Sequence, residues 1–192
     1  MPWGLKRFHE SGQTHFVTFT CYHRYPLLDS AKAKRTFEIA LERVRRKYQL
    51  CVYGYVVMPE HVHLLLSEPE RSNLAQAIKS LKQGVARRLG GPFKPGFGLS
   101  GSGQTFWQLR YYDHNVRNYD SFVAKLRYIH RDPVKRGLCN SPEDWQWSGF
   151  LHYATGVESI VQIESQWAAS RRERAGVSLR VRELPRSSQN RA

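Results

Sequence analysis

The chain has 192 residues, 41% hydrophobic and 24% charged, and its 30 Lys and Arg against 16 Asp and Glu leave a formal charge of +14. That composition excludes a disordered chain, and the length suits one domain with an elaboration better than two full domains. No run approaches the roughly 18 apolar residues of a membrane span, and the first twenty positions carry no signal-peptide pattern.

Residues 14–22, Thr-His-Phe-Val-Thr-Phe-Thr-Cys-Tyr, are β-branched and aromatic with no breaker and predict a first strand. Ser30 then offers an N-cap, and Phe37, Leu41, Val44 and Tyr48 recur at helical spacing, so a helix over 30–49 is predicted with a basic outer face. Residues 50–58 and 61–67 read as two strands of a hairpin joined at Pro59-Glu60. A second helix over 73–89, through Leu74, Ile78, Leu81, Val85 and Leu89, stops at Gly90-Gly91-Pro92. Six Gly and two Pro over 90–103 mark a mobile loop. Residues 106–116 predict a last strand, and 120–129 a helix that turns Phe122, Leu126 and Ile129 inward.

The order strand, helix, strand, strand, helix, strand, helix is that of an α+β, ferredoxin-like antiparallel sheet with helices on one face and an extra C-terminal helix. The domain is expected over 1–153, ending in a packed appendage around Trp145, Trp147 and Phe150. Residues 154–192 are expected to form a basic, partly mobile extension, with seven Arg and two Glu from Ser170 onward. Cys21, Cys51 and Cys139 are odd in number and in no C-x-x-C pair, which favours a reducing cytoplasm over a disulfide framework. The excess of positive charge points to a polyanion, nucleic acid foremost.

Strand alternation puts His61 and His63 on one face and Val62 on the other, a pattern that fits either a metal half-site or an ordinary polar sheet face. Tyr128 falls about 120° from Phe122 on the helical wheel, off the apolar stripe, and Asp132 lies about 40° from Tyr128. A hydroxyl and a carboxylate thus present together if the helix reaches that far. The alternative is a helix that ends at Asp132, because the next residue is Pro133. Lys125, Arg131, Lys135 and Arg136 surround this region with charge suited to phosphate or to a helix end. Among 24 aromatic residues, Phe106, Trp107, Tyr111 and Tyr112 beside the Gly-rich loop are the candidates for base contact.

The segments Phe16-Val17-Thr18-Phe19, Tyr22-His23-Arg24, Val57-Met58-Pro59-Glu60-His61-Val62-His63-Leu64, Tyr111-Tyr112-Asp113-His114 and the run from Leu126 to Leu138 together resemble the REP-associated tyrosine transposases. These are the palindrome-linked branch of the single-tyrosine HUH transposases. Pro142-Glu143-Asp144-Trp145-Gln146-Trp147-Ser148 is also similar to that family. The resemblance implies an endonuclease and strand transferase acting on single-stranded DNA with palindromic hairpins, through a 5′-phosphotyrosine intermediate and with Mg²⁺ or Mn²⁺. It implies that His61 and His63 are the metal-site histidines and Tyr128 the nucleophile. Asp132 stands where family members usually carry Asn or Gln as the third metal-site group, a departure that bears on metal preference or on activity. No nucleotide cofactor is expected, since no G-x-x-x-x-G-K-[ST] occurs. The enzyme is expected in the cytoplasm, nucleoid-associated when on DNA, as a monomer or homodimer. The competing readings are a hairpin-binding protein with impaired chemistry, an RRM-like RNA-binding protein and a metal-dependent hydrolase that uses water.

Overall fold

The computed structural model describes residues 14–90 and 105–175. Strands β1 (Thr14–Thr20), β2 (Val52–Val57), β3 (His61–Ser67) and β4 (Tyr112–Val116) form one antiparallel sheet in the order β2-β3-β1-β4. The helices are α1 (Ala31–Tyr48), α2 (Leu74–Leu89), α3 (Tyr119–Lys135), α4 (Phe150–Thr155) and α5 (Gln166–Arg174). This is the α+β, ferredoxin-like arrangement expected from the element order.

Local chemistry sets the helix limits. Ala33 N–H donates to Ser30 Oγ at 3.1 Å to start α1, and Gln49 ends it in the left-handed region at φ 52°. Asn73 and Asn118 cap α2 and α3 in the same way. Along β1 and β3 the side chains alternate, so Val17, Phe19, Val62 and Leu64 enter one core with α1 and α2. Phe16 and Leu65 enter a second core on the opposite face with Phe122 and Ile129 of α3. Complete burial of a side chain such as Ile129 contributes roughly 1.5–3 kcal/mol. At Gly54 of β2 the helix comes very close, and a Cβ added there would stand 2.5 Å from Leu126 Cδ1.

Three expectations change. The last strand begins at Tyr112 rather than Phe106, because Phe106 and Trp107 turn into the core of α1 and α2. Trp107 packs edge-on against Phe19, and its Nε1–H donates to the Lys82 carbonyl at 2.9 Å. Helix α3 runs through Pro133 to Lys135 instead of stopping at Ile129, with Arg136 N–H donating to the Asp132 carbonyl at 3.0 Å. The chain also stays on the core after Tyr153. Val161 and Ile163 are buried, and Glu164 N–H donates to the Val52 carbonyl at 2.8 Å. Arg171 and Arg172, expected in a loose tail, pair with Glu158 and Glu164. The Gly-rich loop over 91–104 and the remaining tail from 176 lie outside the described residues.

The appendage around Trp145 packs as expected. Trp145 Nε1–H donates to the Val57 carbonyl at 3.2 Å, and Val57 N–H donates to the Trp147 carbonyl at 2.9 Å. Among the described residues no helix is long and apolar enough to cross a membrane.

Candidate active site

Strand β3 holds His61 and His63 on the face covered by α3, and each is 5% exposed. The exposed polar sheet face considered above is therefore not what forms. Because α3 continues through position 132, Asp132 reaches the same place. Its Oδ2 lies 3.2 Å from His61 Nε2 and 3.5 Å from His63 Nε2, and the two Nε2 atoms are 3.1 Å apart.

The outer ring nitrogens are held from behind. His61 Nδ1–H donates to Glu60 Oε1 at 3.1 Å, and His63 Nδ1 shares a hydrogen bond with Thr18 Oγ1 at 2.7 Å across the Thr18–His63 register of β1 and β3. Both Nε2 atoms are thereby aimed at Asp132. A proton or a cation has to lie among three such electron-rich atoms.

The donor set fits a divalent ion. His61, His63 and Asp132 each offer one ligand atom, all within 4.8 Å of one another. Separations of 3.1–3.5 Å are those of adjacent ligands around an ion bonded at about 2.0–2.2 Å. Burial by itself raises the Asp132 carboxyl, but hydrogen bonds from His61 and His63 outweigh it and hold the group well below the usual carboxylate range. Burial lowers the His63 imidazole, which favours its neutral, ligating form.

Tyr128 stands one turn before Asp132 on α3. Its ring lies edge-on to His63 at 5.2 Å between centroids and edge-on to Phe16 at 5.9 Å. It is 40% exposed, so the phenol borders both the cluster and solvent. Burial raises its pKa, the Asp132 charge adds to that, and Arg136 pulls the other way, so the hydroxyl stays protonated.

The expected DNA-contacting residues divide. Lys135 Nζ lies 5.3 Å from the Tyr128 ring centroid and Lys125 Nζ 4.6 Å from that of Phe16, so both flank the cluster. Arg131 is exposed on the same helix, whereas Arg136 is committed to Glu60. Tyr112 is exposed on the α3 side of the sheet and edge-on to Phe16. Tyr111 packs half-buried against the core of α1 and α2. Phe106 and Trp107, 7% and 4% exposed in that core, are structural residues, which corrects their assignment to base contact. Thr18 and Glu60 were not singled out from the sequence. Position 18 becomes visible only through strand register, and Glu60 only through its adjacency to His61.

Residues 9–132 match the family model described as "Transposase IS200 like". The chain belongs to that family. The matched stretch contains His61, His63, Tyr128 and Asp132. This transposase is 26% identical over 146 residues to the REP-associated tyrosine transposase of Escherichia coli, covering 76% of this chain and 81% of the relative. It also shares the fold of a solved REP-associated tyrosine transposase bound to a REP hairpin, with a TM-score of 0.66 and 23% identity over 84% of this chain and 92% of that one. The RRM-like reading does not fit, since RNA is read there on an open sheet face and α3 covers this one.

Proposed function

We propose that this transposase cuts and rejoins single-stranded DNA beside palindromic hairpins, with Tyr128 as nucleophile and His61, His63 and Asp132 as the residues that hold Mg²⁺ or Mn²⁺. The observation that carries the reading is the placement of Tyr128 and Asp132 one turn apart on α3, with the Tyr128 ring 5.2 Å from that of His63 and Asp132 on both imidazoles. Hairpin DNA as substrate is supported by the hairpin bound to the solved relative.

In this mechanism the Tyr128 oxygen attacks phosphorus and gives up its proton. The P–O bond to the 3′ oxygen breaks, that oxygen takes up a proton, and a 5′-phosphotyrosine and a free 3′-OH result. A second 3′-OH then attacks the phosphotyrosine, restoring the DNA linkage and the phenol. Each step exchanges one phosphodiester for another, so no nucleotide is consumed. A divalent ion held by His61, His63 and Asp132 would supply positive charge for the reacting phosphate and would offset the Asp132 charge that favours the protonated phenol. Lys125, Arg131 and Lys135 contact the DNA backbone, and Tyr112 offers a stacking surface. The reaction belongs to the cytoplasm, where DNA is accessible.

The test uses end-labelled hairpin DNA with a single-stranded flank, incubated with the protein and Mg²⁺ or Mn²⁺. A DNA–protein adduct that survives denaturation is expected, and Tyr128→Phe abolishes it. An adduct retained by Tyr128→Phe refutes the nucleophile. Cleavage without adduct points to water as nucleophile, and binding with neither points to a hairpin-binding protein without chemistry.

A further inference from the structure

The run Tyr22-His23-Arg24, one of the segments similar to the REP-associated transposases, has no part in the tyrosine chemistry. It forms a tight turn after β1 in which His23 and Arg24 are both left-handed, at φ 48° and 58°. Residues with a Cβ seldom take that conformation, and two in succession make an unusual connection. The turn is pinned to the β2–β3 hairpin from both sides: Cys21 N–H donates to the Glu60 carbonyl and Leu28 N–H to the Pro59 carbonyl, each at 2.8 Å. Backbone strain of this kind persists where the surroundings enforce it, often to place a side chain. The side chain delivered here is Arg24, whose Nη2 lies 3.9 Å from Glu60 Oε1.

That oxygen is shared. Glu60 Oε1 also accepts from Arg136 Nη2 and from His61 Nδ1–H. Two guanidiniums therefore meet at one buried carboxylate, and with His61 neutral the group keeps a net positive charge. Both arginines are exposed, and neither has a second carboxylate partner among the described residues. A guanidinium carries five N–H donors, so its contact with Glu60 leaves most of the fork for an outside acceptor.

Helix α3 sets the order along the site. Tyr128, Asp132 and Arg136 follow one another at intervals of four residues, about 6 Å of axial rise each. They face His63, the two imidazoles together and Glu60 in turn. The guanidinium pair thus lies past the cluster, at the end away from the nucleophile.

We propose that Arg24 and Arg136 bind a second phosphate, the one immediately 5′ to the scissile linkage, and that Glu60 is the positioning residue that gathers both guanidiniums for it. The inference rests on the transposase reading for the place of the cut. Attack on phosphorus sets the entering and leaving oxygens roughly in line, so the strand that ends in the new 3′-OH departs on the side away from Tyr128, where the two guanidiniums stand. Forked N–H donors suit the oxygens of a phosphate. Holding that strand keeps its 3′-OH beside the phosphotyrosine for the return attack.

The experiment scans the single-stranded flank with oligonucleotides that each carry one neutral methylphosphonate, and measures binding in EDTA. The cut is mapped separately from the adduct formed in Mn²⁺. Wild-type protein should lose about tenfold in affinity when the phosphate 5′ to the cut is neutralised, the weight of one charged hydrogen-bonded contact. The double variant Arg24→Ala, Arg136→Gln should show no further loss at that position, and Arg24→Ala alone a smaller one. Glu60→Gln, which can still accept from His61 Nδ1–H but has no charge to gather the arginines, should blunt the same loss. Neutralising any other phosphate should affect wild type and variants alike. Circular dichroism melts check folding, and Arg24→Ala, at an exposed position, carries the test should the double variant unfold. Wild type and variants that respond equally at every phosphate overturn the proposal and leave Glu60 and Arg136 as an ion pair that only ties α3 to the hairpin. A sensitive phosphate on the 3′ side of the cut overturns it as well. A variant-sensitive phosphate in a protein that forms no Tyr128 adduct refutes the chemistry and leaves the phosphate site assigned.

Discussion

Thr18→Val removes one hydroxyl from behind the His61–His63–Asp132 cluster and changes little else. Valine keeps the shape of threonine and suits β1, but it cannot share the 2.7 Å hydrogen bond with His63 Nδ1. His63 is 5% exposed, so leaving that nitrogen unsatisfied costs about 1–3 kcal/mol. The ring is then no longer committed to one tautomer, and a proton on Nε2 would stand at the point facing His61 Nε2 and Asp132 Oδ2. Loss of such a supporting partner typically weakens metal binding about 10–100-fold, or roughly 1.4–2.7 kcal/mol. Isothermal titration with Mn²⁺ should show the dissociation constant rising by that factor, and Thr18→Ser should restore it. Mn²⁺ affinity unchanged in Thr18→Val, with the variant folded, would refute the claim that the cluster is aimed from β1.

Asp132→Asn should still form the phosphotyrosine adduct, since an amide oxygen can occupy the same place; complete loss of adduct with the fold intact would show that the carboxylate charge is required. In the metal-free protein the depressed Asp132 carboxyl stabilises the fold above the ordinary carboxylate range of about pH 4 and ceases to do so as pH falls through its lowered value. Denaturation of Asp132→Asn across acidic pH should lack that component. Ile129→Ala, at a fully buried position on the sheet-facing side of α3, should cost about 2–5 kcal/mol in urea unfolding. At His15, burial alone would lower the imidazole, but hydrogen bonds and charge from Asp113 at 2.9 Å and Glu68 at 3.4 Å outweigh it and raise the pKa. Its stabilisation is complete below about pH 6.5 and fades as pH rises through the raised value, so His15→Gln should flatten the neutral-to-alkaline part of the stability profile.

The fold was legible because its signals are local. The spacing from Phe37 to Tyr48 and the caps at Ser30 and Asn73 mark two helices within a residue of their observed ends. Period-two alternation puts His61 and His63 together on one face, and helical spacing links Tyr128 with Asp132, so the juxtaposed residues were readable from two short segments. The burial of Phe106 and Trp107 was not, because a neighbouring Gly-rich stretch says nothing about which side of the sheet the chain will cross. Pro133 also misleads in isolation. Proline disfavours the helical conformation before it, yet Ile129 and Asp132 are both held against the sheet and the helix carries through. Thr18 depends on strand register, and the Arg171 and Arg172 ion pairs depend on how the segment after Tyr153 folds back, neither of which periodicity contains.

Gly54 lets the two halves of the site lie close together. The imidazoles ride on a strand, and the phenol and carboxylate ride on a helix laid across it, so the bare α-carbon at position 54 acts as the shim between two independently built halves. One methyl group there leaves Leu126 short of ordinary van der Waals distance by roughly 1–1.5 Å. The atom in the way is the tip of a flexible side chain, so a larger residue at 54 asks Leu126 to turn aside, and glycine spares the seam between strand and helix that adjustment.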